Sequence, residues 1–347
     1  MCIRDRHNLW DSVRGFGSAS AGNNLQSDTT GQQNQYGTYG YISSVTSTTT
    51  VMSSGTTSDA YVNKSGDRMI AWCWRAGGAP SADGKAMVDG VETTTAALKT
   101  AASAIITPTR MSVNTESGFS VVKWQAPDNT SLINPSIPHG LNQTPDFIII
   151  KSLDDGTQNW MIWHNSLSNS AADYLQFQPS AKLTAGINIW GGSGPSNNLI
   201  NFASQSNLGS NNYSNNNHIA YCWHSVPGYS AFGLYAGNGD NDNDDDPDPP
   251  FIYTGFTPAM VWIKSISQIN RWYVFDNARS PHNENDNPLS QNEATVESSV
   301  STSGYKEIDL LSNGFKIRND RDQINASGHS YLYCAWATQS TNFTTAR

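Results

Sequence analysis

Seven His, four Cys and 29 Asp plus Glu are the side chains of this 347-residue chain best suited to chemistry. None stands in a spacing that fixes a mechanism. The sequence has no HExxH pair for zinc, no GxSxG nucleophile elbow and no P-loop for phosphate. His139 sits in the turn Pro138-His139-Gly140-Leu141 and reads as a structural turn residue. His164, His218 and His224 fall in recurring motifs whose other copies carry Asp276, Arg68 or other residues. A required base would not be exchanged so freely between copies. His282 and His329 have no suggestive neighbours. Paired carboxylates can cleave glycosides, but no motif singles out two of the 29. The expectation is a non-enzymatic protein with no catalytic residues.

The one dense charge cluster runs from Gly237 to Pro250, with Asp at 240, 242, 244, 245, 246 and 248. Alternating Asp can surround a hard cation with oxygens, as in the first half of an EF-hand loop. Here the sixth position is Asp245 rather than Gly, and the twelfth is Phe251 rather than Glu. The EF-hand reading fails. Two readings stay open: a solvated loop stiffened by its prolines, or a looser calcium loop through Asp240, Asp242, Asp244 and Asp246. Calcium is the one cofactor the sequence raises.

The elements that hold these residues form a repeat, which has to be sought before any fold is assigned. A Pro-led strand ending in Lys-Ser occurs as Thr144-Pro145-Asp146-Phe147-Ile148-Ile149-Ile150-Lys151-Ser152 and as Thr257-Pro258-Ala259-Met260-Val261-Trp262-Ile263-Lys264-Ser265. A tryptophan strand follows, Trp160 to Asn165 and Trp272 to Asn277. The segment Leu9 to Arg14 overlays Val274 to Arg279. A third motif, a polar turn and an aromatic strand, closes each unit at Ser65–Trp74, Asn217–Trp223 and Ser327–Trp336. From the aromatic of the second motif to the closing Trp the spacings are 64, 60 and 61 residues. The cysteines are offset between copies, which argues against a shared thiol chemistry.

These spacings predict an all-β chain of tandem β-sandwich-like repeats of roughly 110 residues, the first cut short. Residues 7–78 form the truncated repeat, 79–116 an Ala/Gly/Thr-rich linker, 117–228 the second repeat and 229–347 the third. A short helix is expected over Ala96–Ile106, in a pattern that shows no caps. Strands are expected at Phe119–Trp124, Gly186–Trp190 and Gly314–Ile317. The recurring aromatics, from 11 Trp and 14 Tyr, read as sandwich core. Residues 1–6 resemble an adaptor-derived leader of metagenomic reads, and the natural N-terminal region is expected to lie outside the sequence.

Composition excludes other classes. Charged residues make up 14% against a usual share of about 25%, while 35 Asn and 43 Ser supply the polar surface. Helical faces need Glu, Lys, Leu and Ala, so a mainly helical fold is out. No apolar run approaches the ~20 residues that span a bilayer. With a net charge of -9 and scattered cations, no basic stripe invites nucleic acid.

With these segments assembled, the chain resembles a family of repeats in virion and tail-associated proteins of marine tailed phages. The resemblance is carried by Trp74 to Pro80, Asn114 to Val122, His139-Gly140-Leu141 leading into Pro145 and Lys151, His224 to Ser230 with Phe256-Thr257-Pro258, and Leu311 to Arg318. The closing Thr344 to Arg347 is similar to the C-terminus of such proteins. The resemblance implies a virion component, a tail or fibre part presenting loops for host-surface adhesion. Its partners would be other virion proteins, a host surface glycan and further copies of itself. The alternatives are a secreted carbohydrate-binding tandem module and, third, a glycan depolymerase.

Overall fold

The computed structural model describes residues 7–33, 37–46, 48–57, 62–127, 134–177, 182–184, 189–203, 215–241, 248–293, 297 and 306–338. Among the described residues the regular structure is almost entirely β-strand, with one α-helix. Four strands of a seven-stranded sheet run in the spatial order Met161–His164, Phe147–Ser152, Asn217–Trp223, Phe119–Gln125. Four strands of a five-stranded sheet run Trp272–Asp276, Met260–Ser265, Ser330–Trp336, Ser230–Ala236. All of these neighbours are antiparallel. In both sheets the Pro-led strand sits between the tryptophan strand and the closing aromatic strand.

Every residue of the two Pro-led strands is buried, as expected of strands covered on both faces. Successive side chains, pointing to opposite faces, divide them between two cores. Phe147, Ile149, Met260 and Trp262 face a central cluster shared by the two large sheets. Ile148 and Ile150 turn to a second cluster with Ile137 and Ile200 of a two-stranded sheet and the adjoining Phe202. Val261 and Ile263 turn to a third, with Ile252, Phe315, Ile317 and Ile308 of a three-stranded sheet. Each large sheet is thus sandwiched twice, once by a small sheet of its own and once by the other large sheet.

The stretch expected as a linker is folded into the architecture. Lys85–Val88, Val91–Thr94 and Arg110–Asn114 extend the seven-stranded sheet, and Lys85–Val88 pairs in parallel with Arg110–Asn114. Thr95–Ala102 between them is an α-helix with caps on both sides: Thr94 accepts from the Ala97 amide, and Ser103 takes the left-handed conformation. Its Ala/Gly/Thr content concealed a crossover, because the inward residues Ala86, Met111 and Val113 are few but fully buried. Ile189 and Trp190 form a buried turn rather than the end of a strand, and Gly186 to Asn188 lie outside the described residues. The expected first aromatic strand also differs: Met69 is a β-bridge residue, and Ile70–Trp74 is not assigned as a strand although Ile70, Trp72 and Trp74 pack against the central core.

Candidate functional site

The closing tryptophans of the three motif copies meet. Trp74, Trp223 and Trp336 have ring centroids 5.8, 5.5 and 6.1 Å apart, all edge to face. That geometry places positive ring edges on negative faces. Around this centre, backbone carbonyls link the copies in a closed circle. Trp160 Nε1 donates to the carbonyls of Gln26 (3.2 Å) and Thr29 (3.0 Å) in the first segment. Trp272 Nε1 donates to Gln176 O at 2.9 Å in the second. His7, which stands three residues before Trp10 as Trp160 does before Trp163, donates from Nε2 to Glu293 O at 3.0 Å in the third.

The overlay of Leu9–Arg14 on Val274–Arg279 has a structural meaning. Asp11 accepts from the amides of Val13 (3.0 Å) and Arg14 (2.8 Å) and from the Arg14 guanidinium. Arg14 also donates to Asn23 O and Leu9 O. Asp276 repeats this with Ala278 N, Arg279 N and Arg279 Nε, and Arg279 donates to Asn287 O and Val274 O. A short side chain that caps its own turn is what Asp does well. In the middle copy His164 stands in that place, its Nδ1 accepting from Ser166 N at 3.1 Å.

The other reactive side chains are built into turns and cores. His139 Nδ1 accepts from Leu141 N and its Nε2 donates to Ser196 O, which fixes a neutral tautomer. His139, His164 and His218 are buried, and burial pulls each imidazole down to about 4. Burial pushes the Cys222 thiol up to about 12 and raises Cys334 as well, so neither supplies thiolate. The lysine of the Lys-Ser motif folds back on its own loop. Lys151 Nζ donates to the carbonyls of Ser152, Asp155 and Gln158, and Lys264 Nζ donates to Ser265 O at 2.7 Å. Their burial pulls the ammonium groups down to about 8 and about 7.

Of the four aspartates considered for calcium, Asp242, Asp244 and Asp246 lie outside the described residues. Asp240 accepts from the amides of Asn241 (2.8 Å) and Asp248 (2.7 Å), tying the two ends of that loop together. Among the described residues no group of three or more His, Cys, Asp or Glu is placed to hold a metal ion.

A polar groove of about 230 Å³ opens where the first segment meets the seven-stranded sheet, lined by Gln32, Gln33, Lys123, Leu153, Asp154 and Asn217. Its walls are fixed: Gln33 N donates to Leu153 O at 3.0 Å, and Gln33 Nε2 donates to Asn23 Oδ1 at 2.9 Å. Asn217 donates to Asp154 Oδ2 through both its amide and its side chain, at 2.6 and 2.9 Å. Carboxamides, one ammonium, one carboxylate and a leucine side chain offer both donors and acceptors to hydroxyl groups. No single stretch of sequence marks this site, because its residues come from four separated segments.

A family model described as a domain of unknown function, DUF7483, matches residues 3–340. The chain belongs to this family. One model spans all three motif copies of this DUF7483 protein, in keeping with a central core that draws on every copy. No curated protein and no solved structure matches the chain.

Proposed function

We propose that this DUF7483 chain is a non-enzymatic structural protein of a phage particle, a tail or fibre component that presents loops for adhesion to a host surface. The observation that supports this reading best is the closed circle of Trp160, Trp272 and His7 bonds around the three tryptophans. It locks three copies of one unit into a single stiff body, and a rigid scaffold lets surface loops carry recognition. His139, His164, His218, Cys222 and Cys334 are buried within that scaffold. The resemblance of the segments around Trp74, Phe119 and Phe315 to tail-associated repeats supplies the phage context. The test is immunogold electron microscopy of phage particles with antibody against residues 117–347. Label on tails or fibres is the expected result; label only in the host secretome would discard the virion reading.

The polar groove favours a second reading, a secreted carbohydrate-binding module. Saturation-transfer NMR with galactose, glucose and glucuronate at millimolar concentration measures it on the purified chain. Lys123→Met and Gln32→Ala are each expected to weaken a neutral hexose by about tenfold, the loss of one hydrogen bond to a charged or polar partner. Gln32 is exposed and Lys123 half-buried, so neither substitution disturbs the core. Binding that ignores both variants would remove the groove from consideration.

A further inference from the structure

An antiparallel sheet that packs one face on a core turns alternate residues of each strand to the other side. In the three-stranded sheet of Phe251–Tyr253, Gly314–Ile317 and Ile308–Leu311, the inward residues include Ile252, Phe315, Ile317 and Ile308. The outer face carries two rows across the strands: Phe251, Lys316 and Asp309, then Tyr253, Gly314 and Leu311. Phe251 and Tyr253 are 46% and 68% exposed. Each ring lies beside a glycine. A Cβ on Gly314 would stand 3.1 Å from Phe251 Cζ, and one on Gly255 would stand 3.6 Å from the Tyr253 hydroxyl. The rings lean over backbone that carries no side chain and keep much of their area in water.

The middle copy closes the matching face. There Ser136, Ile137 and Pro138 hold the places of Phe251, Ile252 and Tyr253, and Ile200 pairs with Ile137 as Phe315 does with Ile252. Ser136 and Pro138 are buried. Ser136 O accepts from the amides of Ile105 and Ile106. Asn201, in the place of Lys316, donates to Gly194 O at 2.9 Å. One frame thus carries a small covered pair in one copy and a large exposed aromatic pair in the other. The core does not need those rings, because Ile252 and Phe315 fill the inner face. The Tyr253 hydroxyl and the Lys316 ammonium bond to no described residue, whereas Asp309 is paired with Arg318 at 2.8 Å. Lys316 is left as the uncompensated charge of this face.

We propose that this face binds a glycan containing hexuronate, with pyranose rings stacked on Phe251 and Tyr253 and a sugar carboxylate on Lys316. The C–H groups on one side of a pyranose carry the slight positive charge that the negative face of an aromatic ring attracts. Residues two apart on a strand are roughly 7 Å apart, so neighbouring sugars of one chain each meet a ring. The Lys316 ammonium is a point charge on a flexible stem, suited to a carboxylate. The bare area fits a sugar better than a protein. Two aromatic side chains of about 150–250 Å² at about half exposure leave roughly 200 Å², against about 800 Å² per partner in a stable protein interface. The site is separate from the polar groove. It goes beyond the adhesion reading, since it stands on this surface whether the chain sits on a particle or is secreted.

The test is isothermal titration of the full chain with hexamers of galacturonate and of guluronate, and with maltohexaose as the neutral control. Salt of about 0.15 M screens the longer-range repulsion from the net charge of -9. At least one uronate is expected to bind with a Kd of about 0.1–1 mM. Phe251→Ala and Tyr253→Ala are each expected to weaken it by about tenfold, while Phe251→Tyr, which keeps the ring, retains binding. Lys316→Met is expected to bring the uronate to the affinity of maltohexaose, a loss of about tenfold. Lys123→Met in the polar groove is expected to change nothing. Binding that survives both ring-to-alanine substitutions, or that falls with Lys123→Met instead, overturns the proposal. So does the absence of binding by either uronate at about 10 mM, or a self-association of the chain that Phe251→Ala abolishes. Particle labelling tests the phage reading on its own, so the two can fail separately.

Discussion

Lowering the pH from 7 to 5 is expected to remove about 6 kcal/mol of folding stability, from three histidines alone. His139, His164 and His218 are held neutral by burial, at about 4, against about 6.5 in an unfolded chain. Between those values the unfolded state binds more protons than the folded one, so stability falls as pH falls, fully expressed only below about 4. At pH 5 each site contributes about 2 kcal/mol of that loss, and the three together approach the total stability of many domains, about 5–15 kcal/mol. Protonation has no outlet in the fold. His164 Nδ1 already accepts from the Ser166 amide and Nε2 faces Tyr333 O, so a second ring proton would meet a backbone donor. Urea unfolding followed from pH 7 to 5 measures the effect, with His164→Gln expected to reduce the slope by about a third. Imidazole NMR signals assigned to His139, His164 and His218 that titrate near 6.5 in the folded chain would refute the account. The buried lysines act with the same sign at higher pH. With folded values of about 8 and about 7, Lys151 and Lys264 make stability rise from near neutrality to about 10.4, the unfolded lysine value.

Asp11→Ala is expected to cost about 3–5 kcal/mol, because it leaves a buried guanidinium without its counter-charge. The Arg14 and Asp11 side chains are 1% and 6% exposed. Tyr221 of the second copy donates to Asp11 Oδ2 at 2.7 Å and receives from Arg14 at 3.4 Å, so the same substitution loosens the first segment from the sheet. Asp276→Ala removes the matching carboxylate from Arg279, yet Arg279 keeps Glu297 at 2.8 Å. It is expected to cost about half as much, since the cation stays paired. Chemical denaturation of the two variants side by side decides the point. A larger loss at Asp276 would contradict the assignment of Asp11 as the tie between copies.

The Asp–Arg pairs also show how far the sequence could be read. The overlay of residues 9–14 on 274–279 was visible in residue types alone, but nothing there announced a buried ion pair closing a turn. The polar groove was invisible for a different reason: Gln32, Lys123, Asp154 and Asn217 are unremarkable surface types brought together by pairing between distant strands. Residues 79–116 misled in the opposite direction, because an Ala/Gly/Thr-rich stretch reads as linker until Arg110–Asn114 finds its place beside Phe119–Gln125.

By itself the sequence determined the β class, since few helix-forming residues and many short aromatic or β-branched runs leave little else. It also determined the spacing that puts one strand order into two sheets. Only the tertiary structure decided that the copies share a core rather than follow one another as separate sandwiches. Both faces of the Pro-led strands are apolar, and local pattern cannot say which face meets a small sheet and which meets another copy. That choice is made by the contact of Trp74, Trp223 and Trp336, residues up to 262 positions apart, because burying three indole rings against one another removes apolar surface from water that no single copy could cover.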